Sequence, residues 1–185
     1  MPIKQVINTA TKTLSIVFTA LLFSFSSLSH PANPEVGKTY YTAHNLMFEK
    51  GRHSATNYWR GEMLAVNSEV KVEKIGKKKI TVSWKGQEIT FINVPKHTKI
   101  SMQELADRML SNSEVSLGSG FAKDIKFGEM RLGMTKDQVI KTRGYPPAHK
   151  TFSTEADRWT YWSSKFVQMS LIFENGKLVQ GRGLR

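Results

Sequence analysis

Five histidines, His30, His44, His53, His97 and His149, are the residues of this chain best suited to metal binding or proton transfer at neutral pH. No two of them stand at the i, i+4 spacing that puts a pair on one helical face. The chain has no cysteine, which removes disulfides, thiolate zinc sites, iron-sulfur clusters and thiol nucleophiles together. His44 and His53 can converge across a hairpin, but no paired carboxylates lie at ligand spacing beside them, so neither a metal site nor a cofactor is expected. Serine is plentiful, yet no Gly-x-Ser-x-Gly elbow and no glycine-rich phosphate loop occurs. These absences predict a protein that binds rather than catalyses.

Three clusters have the residue types of a binding surface. Residues 50–61 mix Lys50, Arg52, His53 and Arg60 with Tyr58 and Trp59; these aromatics either form a ligand surface or close the end of a small core, where aromatic area counts most. Lys77, Lys78 and Lys79 are the one basic run, either a solvated turn or a contact for acidic lipid. In the run Trp159, Thr160, Tyr161, Trp162, strand alternation sends Trp159 and Tyr161 to one face and Trp162 to the other. Trp162 is then an interface anchor with Tyr145 and Arg182, since Trp, Tyr and Arg concentrate binding energy, or it packs beneath the preceding half of the chain.

These residues need elements to hold them, and 185 residues with 39% hydrophobic and 10% aromatic content suffice for one or two small domains. Lys4 and Lys12 precede an apolar, serine-rich run ending at small residues Ser27 and Ser29, so residues 1–29 are expected to be a secretory signal peptide. With 27 bases against 15 acids the chain carries +12, spread almost evenly: 13 bases and 8 acids in residues 30–112, 12 and 7 in residues 113–185. A nucleic-acid reader more often concentrates such charge on one element. A diffuse positive field outside the cytoplasmic membrane suits anionic lipid, cell-wall polymer such as peptidoglycan, or an acidic protein partner.

Residues 70–75, 79–84 and 87–94 alternate polar and apolar side chains and are separated by Gly76 and by Lys85-Gly86, which predicts a three-stranded meander. Tyr40-Tyr41 and residues 46–48 add one or two short strands, with residues 51–61 a loop. About five short strands in so few residues favour a small bent barrel. Ser101 and Glu104 form a capping box ahead of Met102, Leu105, Ala106, Met109 and Leu110, a helix with one apolar face. Residues 111–120 read as a linker. Thr135 and Gln138 make a second capping box, with Met134 and Val139 as its hydrophobic staple, and Gly144 ends a helix over 136–143. Strands at 158–162, 166–173 and 177–181 follow, the last two joined by Asn175-Gly176 in a type I′ turn. Val139 and Ile140 cover one face of that three-stranded antiparallel sheet.

The ordered set Gly133-Met134-Thr135, Val139, Gly144-Tyr145-Pro146, Trp159-Thr160-Tyr161-Trp162 and Phe173-Glu174-Asn175-Gly176-Lys177-Leu178 resembles the SmpA/OmlA (BamE-like) domain, over residues 127–185. Residues 36–112 resemble bacterial SH3-like barrels. The expected class is α+β: an SH3-like barrel with a C-terminal helix at 36–112, then a BamE-like helix on a three-stranded sheet at 121–185. The SmpA/OmlA resemblance implies a non-enzymatic periplasmic protein of the bacterial envelope, associated with the outer membrane, that binds an envelope protein during outer-membrane assembly. The best-known members are lipoproteins, and this chain has no cysteine to acylate. The same architecture is similar to secreted β-lactamase inhibitory proteins, which bind an enzyme through the sheet.

Overall fold

The computed structural model describes residues 33–56, 58–182 and 184. The expected signal peptide at residues 1–29 lies outside the described residues. The protein is a mixed α+β fold with short helices and a curled sheet.

Seven strands come first: β1 (Thr39–Thr42), β2 (Leu46–Phe48), β3 (Arg52–Ser54), β4 (Glu62–Leu64), β5 (Glu69–Ile75), β6 (Lys79–Trp84) and β7 (Gln87–Ile92). Helices α1 (Pro95–Thr98) and α2 (Met102–Met109) and strand β8 (Leu110–Ser111) follow. Six of these strands form one sheet in the order β3-β7-β6-β5-β1-β8, while β2 and β4 pair as a separate ribbon. The meander β5-β6-β7 is antiparallel, and its alternation is that of the sequence: Val70, Val72, Ile80, Val82, Ile89 and Phe91 are buried. A register shift between Val72 and Lys74 adds twist where the sheet bends. Lys85 and Gly86 both take positive φ, 49° and 81°, the backbone sense that a tight two-residue hairpin needs. The capping box of α2 is present, with Ser101 accepting from the Glu104 amide and Glu104 from the Ser101 amide. Met102, Leu105, Ala106 and Met109 of α2 enter the same core as Phe48 and Phe91.

Two expectations need correction here. Residues 51–61 are not all loop, because β3 lies among them and pairs in parallel with β7, His53 opposite Phe91. Its sequence hides this: Arg52-His53-Ser54 has no apolar alternation, and the strand is set by its partner. The five expected short strands before residue 95 are seven.

Helices α3 (Ala122–Lys126) and α4 (Lys136–Arg143) lead into β9 (Arg158–Trp162), β10 (Gln168–Glu174) and β11 (Lys177–Gly181), an antiparallel sheet in the order β11-β10-β9. The α4 capping box is formed by Thr135 and Gln138 as expected. Asn175 and Gly176 have φ of 49° and 73°, as a type I′ turn requires. Met134, Val139, Trp159, Tyr161, Leu171, Phe173 and Leu178 build the second core, with Trp159 and Phe173 rings 4.6 Å apart. Each fully buried Leu or Phe contributes about 1.5–3 kcal/mol relative to exposure.

The two cores are stitched together by polar groups. Asn45, fully buried, donates through its amide to the carbonyls of Ile125 (2.6 Å) and Thr142 (3.0 Å), and its Oδ1 accepts from the Val66 amide (2.7 Å). The Asn45 backbone amide donates to the Lys141 carbonyl. Val66, from the chain after β4, is part of the second core. Asn67 and Val115 exchange two hydrogen bonds, and Val115 and Leu117, within the expected linker, pack on the second core.

Candidate functional site

Alternation in β10 divides the C-terminal sheet into two unlike faces. Leu171 and Phe173 point into the core, whereas Gln168 and Ser170 are exposed and Ile172 is half-buried. On the neighbouring strands Arg158, Gln180 and, just past β11, Arg182 are also exposed. Together these residues line an open depression of about 330 Å³. Neither arginine makes an ion pair among the described residues. Phe166, 85% exposed, and Val167 immediately precede Gln168 in the chain, and the exposed Val179 precedes Gln180. Two guanidinium groups, three polar side chains and an apolar rim can grip a carboxylate-bearing surface, with arginine forking to acids and the phenyl ring filling an apolar notch.

The five residues singled out in the sequence are not gathered into one site. Arg182 alone lines this depression. Trp162 pairs across the strands with Gln168 but does not itself line the depression; it is half-buried, stacked on His149 at 6.3 Å with Lys150 over its ring at 5.8 Å. His149 in turn meets His97 edge-to-face at 4.6 Å, and its amide donates to the His97 carbonyl. Trp162 is thereby linked, through His149, to His97 of the first half. Burial, with the neighbouring His149 charge adding to it, lowers the pKa of His97.

Tyr145 also belongs to the junction. Its ring meets His44 edge-on at 6.0 Å and carries the Arg108 guanidinium at 4.8 Å. Trp59 crosses from the first half to the second: the Arg143 guanidinium stacks on it at 4.0 Å, and its ring lies over Gly128. A Cβ on Gly128 would fall 2.6 Å from Trp59 Cζ2, and the φ of +71° already disfavours any other residue. Arg143 is nearly buried, and desolvation lowers its pKa to about 9. Tyr58 keeps a more open place, with Arg60 over its ring at 5.8 Å, beside a small depression of about 180 Å³ shared with Arg52 and Ser54. Tyr58 and Trp59 meet different neighbours, Arg60 for the one and Arg143 with Gly128 for the other.

Histidine chemistry is placed equally plainly. His44 and His53 are buried, and desolvation lowers each pKa to about 4, so both are neutral at pH 7. Their Nδ1–H groups donate to the carbonyls of Asn45 (3.0 Å) and Met47 (2.8 Å). Among the described residues no three His, Asp or Glu side chains are grouped to hold a metal ion.

The residues that sequence reasoning passed over are Arg158, Gln168, Ser170 and Gln180. Period-two alternation in β9 and β10 marks them as the face opposite the core, but it does not say whether a helix or loop covers that face. Comparison with known proteins leaves the site to its own chemistry, since no family model, curated protein or solved structure matches this chain.

Proposed function

We propose that this is an exported, non-enzymatic protein of the bacterial envelope that binds an acidic protein partner through the uncovered face of the β9–β11 sheet, as an adaptor in envelope or outer-membrane assembly. The observation that carries the reading is the depression lined by Arg158 and Arg182, which make no ion pair among the described residues, with the exposed Phe166 two residues before its lining residue Gln168. An antiparallel sheet tolerates one solvated face, but an exposed phenylalanine and two valines close in sequence to two arginines without ion pairs have the composition of an interface centre, where aromatic residues and arginine dominate. Charge complementarity selects an acidic surface: residues 30–185, with 25 bases against 15 acids, are steered toward it over long range, and the arginines fix its register at contact.

The SmpA/OmlA resemblance of residues 127–185 and the SH3-like resemblance of residues 36–112 supply the compartment and the assembly role in this reading. The helix α4 on a three-stranded sheet and the preceding curled sheet are compatible with that layout. In a test, a photo-cross-linker at Ser170 is exposed to native envelope extract, and the captured protein is then purified and titrated. One acidic protein, bound one-to-one and lost at least tenfold by Arg158→Glu with Arg182→Glu, is the expected result. Binding unchanged by that double reversal overturns the assignment of the site.

A further inference from the structure

The β5–β6 hairpin holds a second surface, on the opposite half of the molecule from the sheet face proposed above and independent of it. Between residues 74 and 87 the chain has five lysines and no acid. The turn is closed by the Gly76 amide donating to the Lys79 carbonyl at 2.9 Å, which leaves Lys77, Lys78 and Lys79 exposed together. Ile75 at this tip is 42% exposed, although its cross-strand partner Ile80 is buried in the core. Behind the tip an open groove of about 480 Å³ is lined by Arg52, Lys78, Lys79, Thr90 and Ile92.

The charges at this end are uncommitted. Among the described residues Arg52, Lys74, Lys77, Lys78 and Lys79 make no ion pair. Of the neighbouring acids, Glu73 is already held by Ser83 at 2.7 Å and by Lys71 at 3.6 Å, and Glu49, bridged to Arg52 through the backbone, is paired with Arg60 at 2.8 Å. A cluster of free ammonium groups asks for phosphate. A sec-butyl side chain pushed into water at the same tip asks for an apolar phase, which a soluble phosphate does not supply. Both demands are met at a bilayer surface, where lysines lie at the headgroup phosphates and an aliphatic residue enters the acyl boundary.

We propose that the β5–β6 hairpin docks on anionic phospholipid, with Lys77, Lys78 and Lys79 on the headgroups, Ile75 inserted between them, and the Arg52–Lys79 groove taking one headgroup phosphate. Because the chain has no cysteine, Gly76→Cys in the full chain gives a single labelling point for an environment-sensitive fluorophore. This reports on the tip alone, whatever other segments do. Vesicles of phosphatidylcholine with about one-third phosphatidylglycerol should blue-shift the probe, and pure phosphatidylcholine should not. A lysine near an anionic surface changes partition about fivefold, so Lys77→Gln, Lys78→Gln and Lys79→Gln together should raise the lipid needed about 100-fold. Replacing Lys99, Lys123 and Lys126 by Gln removes the same charge elsewhere and should change it less than threefold.

Ile75→Ser should weaken vesicle docking without changing the affinity for soluble polyphosphate, which should bind with no blue shift. A silent probe, an equal response to neutral vesicles, or equal loss from the two triple variants overturns the proposal. So does an Ile75→Ser chain that docks like the original, which would mean that charge alone holds the hairpin at the surface and that Ile75 does not enter the bilayer.

Discussion

Replacing Asn45 by Ala should loosen both halves of the protein at once. The amide group supplies two donors, to the Ile125 and Thr142 carbonyls, and one acceptor, to the Val66 amide, all at fully buried positions. Removal leaves two carbonyls and one N–H in the junction without these partners. Each such orphan costs about 1–3 kcal/mol, and a water entering the space left by the side chain recovers part of it, which puts the loss near 3–5 kcal/mol. Set against a total stability of about 5–15 kcal/mol, that is a large fraction. Urea unfolding followed by far-UV circular dichroism and by tryptophan fluorescence reads it well, because Trp84 packs on the first core and Trp159 lies within the second. Both signals should move together, in one transition, to lower urea. A loss below about 1 kcal/mol, or an original chain whose two cores unfold in separate transitions, would refute the idea that Asn45 joins them.

Other perturbations test other joints of the structure. Gly128→Ala drives a methyl into the Trp59 ring at a positive φ, and should cost about 2–3 kcal/mol in the same unfolding assay; a change under about 0.5 kcal/mol would mean that Trp59 does not rest there. Trp162→Ala removes a half-buried ring stacked on His149 and should cost about 2 kcal/mol while leaving partner affinity within twofold; full stability with lost binding would restore Trp162 as an anchor. His44 and His53, with pKa values lowered to about 4 from 6.5, take up protons mainly after unfolding. Stability is therefore complete above pH 6.5 and falls as pH drops toward 4, by about 2 kcal/mol per histidine at pH 5. Equal urea midpoints at pH 7.5 and pH 5 would contradict their burial as neutral rings.

Local signals in the sequence located the elements that depend on local physics. Capping boxes at Ser101 and Thr135 begin α2 and α4 at the expected residues, and the Asn175-Gly176 dipeptide turns β10 into β11. Alternation through Val70, Val72, Ile80 and Val82 marks a buried face in the meander. What stayed hidden depends on distant partners. Arg52-His53-Ser54 is a strand only because β7 offers its edge, and nothing in the tripeptide says so. Val66 looks like a residue of the first half, yet it is buried with Trp159 and Leu178. Asn45 reads as an ordinary turn residue, and its role comes from two carbonyls in α3 and α4.

The candidate site was legible in its materials but not in its assembly. Arg182 was singled out and does line the open face. Trp162 and Tyr145 were expected beside it, but alternation fixes which side of a strand a residue occupies without fixing what lies across from it. The loop carrying His149 and Lys150 covers Trp162, and Tyr145 faces His44 and Arg108. Trp59 and Tyr58 are neighbours in sequence, and adjacency in an irregular segment does not keep two side chains on one surface.

The most direct test of protein binding at the β9–β11 face is a titration of the cross-linked partner, once purified, against the original chain and against Arg158→Glu with Arg182→Glu, at low and moderate salt. Tight one-to-one binding that weakens with salt, and falls at least tenfold in the double variant while its urea midpoint is unchanged, is the expected outcome. Equal affinity for both proteins would contradict the assignment of this face.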